Sequence, residues 1–191
     1  DIGYGYLAAK EPYLTALTQP GRAMIFVYRD PRDMIVSHIF YATQIHPRHW
    51  MRRYYTEALG SMEERINAAI AGVNEPGSEL PPIRERYEGY LGWLARPEVL
   101  SMRFEDLILQ RQVALGRILD YLAGQGFTPS VSRQQAIQTL AQTIAPKKSG
   151  TFRKAQPGNW QEHFSSANKA LFKELAGDLL LRLDYEKNLD W

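Results

Sequence analysis

Residues 25–37, Ile-Phe-Val-Tyr-Arg-Asp-Pro-Arg-Asp-Met-Ile-Val-Ser, constrain the fold more than any other stretch. A strand signal there runs straight into a helix start. Ile25 to Tyr28 are β-branched or aromatic, as a short buried strand requires. Asp30 reads as an N-cap, and Pro31 takes the first helical position, where a missing N–H costs nothing. Asp33 puts a carboxylate in the first turn, at the positive end of the helix dipole. Arg29 and Ser37 are left at the carboxyl end of the strand and within the first two turns of the helix. Open α/β sheets bind anions at that place, typically a nucleotide phosphate.

The remaining pattern agrees with an α/β chain. A strand is expected over 23–28 and a second over Val99–Phe104. Helices are expected over 31–45, 48–72 (interrupted near Gly60), 83–95, from Glu105 to Gly124, over 131–143 and over 166–183. Leu171, Leu175, Leu179 and Leu183 would form the inner stripe of the last helix. Residues 1–22 read as an irregular, aromatic-rich lead-in, and 74–82 as a loop. Strands separated by long helices imply a parallel sheet, although only two or three strands are visible.

Charge narrows the partners. With 23 basic and 21 acidic residues, the net charge of +2 is too small for binding nucleic acid through a phosphate-neutralising surface, so basic chemistry must be local. The absence of cysteine excludes disulfides, thiolate zinc sites and a thiol nucleophile, and is compatible with a cytoplasmic protein. No apolar run approaches the roughly 18–20 residues of a membrane span. The four histidines show no convincing metal spacing with carboxylates.

A second basic element lies at 151–160, Thr-Phe-Arg-Lys-Ala-Gln-Pro-Gly-Asn-Trp. Arg153 brings a bidentate donor fork and Lys154 a mobile point charge, a combination suited to phosphate. Taken with Arg29 and Ser37, this loop resembles the cytosolic-type sulfotransferase family of the P-loop superfamily, which uses 3′-phosphoadenylyl sulfate (PAPS). In that family an Arg-x₇-Ser element follows a core strand and holds the donor's 3′-phosphate; Arg29 and Ser37 have that spacing. The family's late motif, approximately Phe-Arg-Lys-Gly-x-x-Gly-Asp-Trp-x-x-His-Phe, is matched by Phe152, Arg153, Lys154, Gly158, Trp160, His163 and Phe164. Ala155 replaces its first glycine and Asn159 its aspartate. The strand ending at Phe104 resembles the segment that sets an aromatic ring near adenine, and 171–191 resembles the closing helix.

The resemblance implies a three-layer P-loop-type α/β fold with a parallel sheet flanked by helices. It implies a single domain over 1–191, the C-terminal major part of the family's fold. The implied reaction is sulfuryl transfer from PAPS to a hydroxyl or amine of a small-molecule acceptor, leaving adenosine 3′,5′-bisphosphate (PAP). Arg29, Ser37, Phe104, Arg153, Lys154 and the backbone of Ala155 would hold the nucleotide. No metal is required.

Two family features have no counterpart here. A Pro-Lys-x-Gly-Thr-Thr-Trp loop for the phosphosulfate is not found in 1–191, and the family places it before a position equivalent to Asp1. Gly3-Tyr4-Gly5-Tyr6-Leu7-Ala8 fits a dinucleotide fingerprint only superficially, with no strand before it. Tyr6 occupies the position of the usual catalytic histidine, as an acceptor-site wall, an orienting donor or a packed side chain. His38 points about 100° away from Ser37 around the helix. His46 and His49 read as structural or as lining an acceptor pocket that the aromatics of 40–55 and 83–95 would wall, and His163 as structural. The family's dimer motif is not matched at Gln161, Ser165, Ser166 and Ala170. A nucleotide kinase would require a Walker lysine, and none is visible. A non-catalytic, nucleotide-binding relative of the sulfotransferases is the alternative reading.

Overall fold

A computed structural model describes residues 3–145, 154 and 156–191. The chain divides into two compact units, one of Asp1–Arg29 with Glu88–Ala155, the other of Asp30–Tyr87 with Gln156–Trp191.

The first unit is built on a parallel pair of strands. β1 (Met24–Tyr28) lies beside β2 (Val99–Arg103), with Met24 opposite Val99 and Tyr28 opposite Arg103. Parallel strands need a long connection between them, which is why these partners lie far apart in sequence. Their register is held from the amino end by one phenol. The Tyr121 hydroxyl accepts from the Met24 N–H at 2.9 Å and donates to the Glu98 carbonyl at 2.8 Å. Tyr121 belongs to α6 (Arg111–Gly124), which packs on α7 (Arg133–Thr143) through Leu115, Leu119, Ala136 and Ile137. Each large apolar side chain buried there contributes roughly 1.5–3 kcal/mol.

Two sequence expectations change in this unit. The single helix expected from Glu105 onward is two, α5 (Phe104–Leu109) and α6, because Gln110 leaves helical geometry at φ −127°, ψ 42°. The lead-in is also more ordered than its composition suggests. It contains α1 (Tyr13–Leu17), and the fully buried Trp93 donates its indole N–H to the Leu7 carbonyl at 2.9 Å.

The second unit is helical. α2 (Pro31–Phe40) continues into a wide turn at Tyr41–Ile45, where the His46 N–H bonds back to the Tyr41 carbonyl at 2.9 Å. A similar turn occupies Tyr54–Ala58, followed by α3 (Met62–Ala71), while α4 (Ile83–Leu91) crosses the division between the units in sequence and α8 (Ser166–Arg182) closes the chain. Ile35, Val36 and Ile39 of α2, Ile66 and Ile70 of α3, and Phe172, Leu179 and Leu180 of α8 make the core. The fully buried Asn168 is satisfied by the Glu63 carbonyl at 3.0 Å and the Asn67 amide oxygen at 2.8 Å, a polar tie from α8 to α3. α3 ends at Gly72, whose φ of +87° suits glycine, and a Cβ there would lie 2.8 Å from the Leu80 carbonyl oxygen.

The leucine stripe expected for the last helix is corrected. Leu179 and Leu183 are buried, but Leu175 is exposed, and Phe172, Ala176 and Leu180 take the inner positions. The inner set recurs at i, i+4, i+7, i+8 and i+11 from Phe172, the spacing of a full helical face, whereas a line of leucines every four residues drifts about 40° per step and runs along its edge.

Candidate functional site

In the first unit, parallel register sets the geometry of the sequence-predicted residues. Tyr28 pairs with Arg103, so the next residue of each strand, Arg29 and Phe104, emerges at the same carboxyl edge. The Arg29 guanidinium carbon lies 4.9 Å from the Phe104 ring centroid. A guanidinium stacked on an aromatic face keeps its in-plane N–H fork directed outward, the geometry that recognises phosphate. The strand pairing therefore unites two residues singled out from distant motifs. Lys154 is exposed, while Arg153 and Ala155 lie outside the described residues. Tyr6 is also exposed, at 94%, so packing does not account for it.

In the second unit, the start of α2 is an organising centre. Asp30 caps the helix by accepting from the Arg32 N–H at 2.9 Å. Its carboxylate also ion-pairs with the Arg32 guanidinium at 2.7 Å, and Glu186 adds a second pair at 2.6 Å. That guanidinium, almost fully buried, lies 4.0 Å from the ring centroid of Trp160 and 4.5 Å from that of Trp191. Burial opposes its charge, but hydrogen bonds and charges of Asp30 and Glu186 more than offset this and hold its pKa above the ordinary arginine value. Arg32 was not singled out from the sequence.

Asp33 does more than complement the helix dipole. Buried to 1% exposure, its two carboxylate oxygens accept from the N–H groups of Gly158 and Trp160, each at 2.8 Å. The first turn of α2 thus clamps the Gly158–Trp160 turn of the late basic motif. Gly158 sits at φ +78°, which explains why that motif carries glycine there. The conformation also presents the two N–H groups to a single carboxylate. Ser37 stands half-buried on the second turn of the same helix. The only sequence signal for the clamp was an acidic residue in a first turn, a pattern common to many helices.

The histidines fall into two settings. His163 packs its ring against Phe40 at 5.2 Å between centroids, as a structural residue does. His38 meets His49 at 5.1 Å and both Trp50 and Tyr55 at 5.9 Å. Burial, aided by Arg86 and His49, lowers the His38 pKa to about 3. His38 is therefore neutral near pH 7 and too weak a base to be a good proton acceptor there. His49, stacked on Trp50 at 4.0 Å, is also lowered, by burial and by His46. Among the described residues, no group of three or more His, Cys, Asp or Glu is placed to hold a metal ion, and no helix is long and apolar enough to cross a membrane.

Residues 13–183 match the family described as "Sulfotransferase domain". Flavonol 3-sulfotransferase from Flaveria bidentis is 24% identical over 168 residues, which cover 74% of this chain and 49% of that protein. Among solved structures, retinol dehydratase in complex with androsterone and the inactive cofactor PAP superimposes with a TM-score of 0.61 at 19% identity, covering 88% of this chain and 49% of that one. Mouse sulfotransferase SULT7A1 complexed with PAP gives 0.61 at 16% identity, covering 92% and 64%. The chain spans about half the length of the curated relative it matches. With the family match running through both units, this chain belongs to the sulfotransferase domain family.

Proposed function

We propose that this chain carries the 3′-phosphate-binding part of a PAPS-dependent sulfotransferase that acts on a hydroxyl or amine of a small-molecule acceptor. Residues 1–191 are read as the major part of one such domain, because the family match runs continuously from 13 to 183. The observation that carries the proposal is the parallel register that stacks Arg29 on Phe104 at the strands' carboxyl edge. In this reading Phe104 contributes the aromatic surface for adenine. Arg29, Ser37, Arg153, Lys154 and the Ala155 backbone are assigned to the nucleotide by their match to the family's motifs. Asp33 fixes the Gly158–Trp160 turn, which begins four residues beyond Lys154 in sequence.

In the transfer itself, the acceptor oxygen or nitrogen forms a bond to sulfur. The bond from sulfur to the bridging phosphate oxygen breaks, and its electrons leave with PAP. The acceptor's proton goes to a base. The chain's own contribution is to position the donor by its 3′-phosphate, which lowers the entropic cost of in-line attack.

Thermal unfolding of the full-length protein tests the reading. PAP is expected to raise Tm more than equimolar 5′-AMP, since at equal concentration the ligand that binds the folded state more tightly stabilises it more. Equal shifts, or none, would remove the 3′-phosphate from the account.

A further inference from the structure

The second unit contains a buried polar cluster that the phosphate site does not use. Tyr55 is fully buried, and among the described residues its hydroxyl has no hydrogen-bond partner. His38 turns its ring edge-on to Tyr55 at 5.9 Å, and its Nε2 is likewise buried and unpartnered. The Arg86 guanidinium acts electrostatically on both residues. It donates from Nη2 to the Ala69 carbonyl at 2.5 Å, while its buried Nε has no acceptor among the described residues. No carboxylate among the described residues pairs with Arg86. Burial lowers its pKa from the ordinary arginine value, with only the Tyr55 and Tyr87 phenols acting in the opposite direction.

Three unsatisfied polar groups within one core carry a stability cost that a fold without a use for them avoids. Their chemistry is complementary to one kind of group. A guanidinium N–H and a phenol O–H are donors, and a neutral imidazole supplies a third through either ring nitrogen. Together they suit a planar anionic acceptor such as a carboxylate. Beside them the indole of Trp50, stacked on the buried His49 ring at 4.0 Å between centroids, is 53% exposed and offers an aromatic surface that reaches solvent.

We propose that Arg86, Tyr55 and His38 form the recognition site for the carboxylate of an aromatic acceptor whose ring packs on Trp50. The inference rests on the sulfuryl-transfer reading above and adds the acceptor's class, an aromatic acid bearing a hydroxyl. Arg86 is the specificity determinant, and Tyr55 positions the carboxylate.

The test uses two probes of the same shape, 4-hydroxybenzoate and its neutral amide, 4-hydroxybenzamide. Binding to the full-length protein is followed by calorimetry in the presence of PAP. The carboxylate is expected to bind at least tenfold more tightly than the amide. Arg86→Leu is expected to erase that preference without changing PAP affinity. Tyr55→Phe guards against an Arg86 variant that does not fold. It should weaken 4-hydroxybenzoate binding three- to tenfold while leaving Tm unchanged or higher, because it deletes only an unpaired oxygen. A hydroxyl with a purely structural role would lower Tm and spare the preference. If the wild type does not prefer the carboxylate, or keeps its preference in both variants, the proposal is overturned. Loss of PAP binding in the wild type would instead overturn the underlying sulfotransferase reading.

Discussion

Asp33 shows how one side chain joins two motifs. Its carboxylate satisfies the buried N–H of Trp160 and the half-buried N–H of Gly158, and hydrogen bonds to a charged group contribute about 1.5–3 kcal/mol each. Asp33→Ala is therefore expected to destabilise the protein by about 3 kcal/mol in urea titration. Asp33→Asn should recover part of the loss, because one amide oxygen remains to accept. A change below about 0.5 kcal/mol for the alanine variant would mean that the Gly158–Trp160 turn holds itself. Sequence reading placed Asp33 correctly in a first helical turn, yet its partners lie 125 and 127 residues away, where no local pattern can point. Arg32 escaped notice for the same reason. An arginine between two acids looks like a solvated helix start until Trp160 and Trp191 are packed against it.

Among the elements, what local chemistry dictates was legible. β1 was recognisable from its β-branched and aromatic run, β2 from Val99, Leu100 and Met102 leading into a helix start, and α2 because Asp30-Pro31 is a cap followed by a residue with no N–H to satisfy. The site pair followed from these two strands, but only their parallel register brings Arg29 to Phe104. The face of α8 was misplaced because leucines four residues apart draw the eye, while the buried face is centred on Phe172, Ala176, Leu179 and Leu183, two of which are not leucine. Tyr121 is the element-level key to the register. Removing its hydroxyl orphans the Met24 N–H and the Glu98 carbonyl at the start of the strand pair. Tyr121→Phe should cost about 1–3 kcal/mol. Amide hydrogen exchange should also quicken along Met24–Tyr28 more than in α3. Uniform exchange changes would assign the register to the strands alone.

For the whole molecule, the buried imidazoles set a pH dependence. His38 titrates near 6.5 in the unfolded chain and near 3 in the folded one. Below pH 6.5 the unfolded state binds a proton that the folded state refuses, so stability falls as pH is lowered through that window. The slope from His38 approaches about 1.4 kcal/mol per pH unit. Glu64 and Asp120, both lowered by hydrogen bonds, lose their contributions only at more acidic pH. Urea midpoints at pH 6.5 and 5.0 isolate the histidine effect. His38→Phe should flatten this interval, leaving the smaller contribution of His49. An unchanged slope would place the acid sensitivity elsewhere.

The central claim is that Arg29 reads a 3′-phosphate, and calorimetry of the full-length protein tests it with two nucleotides and one substitution. PAP carries the 3′-phosphate and 5′-AMP lacks it. The account predicts that Arg29→Ala weakens PAP binding by about 10- to 100-fold, equivalent to about 1.4–2.7 kcal/mol, and leaves AMP binding unchanged. Equal losses for both nucleotides, or no loss for PAP, would contradict it.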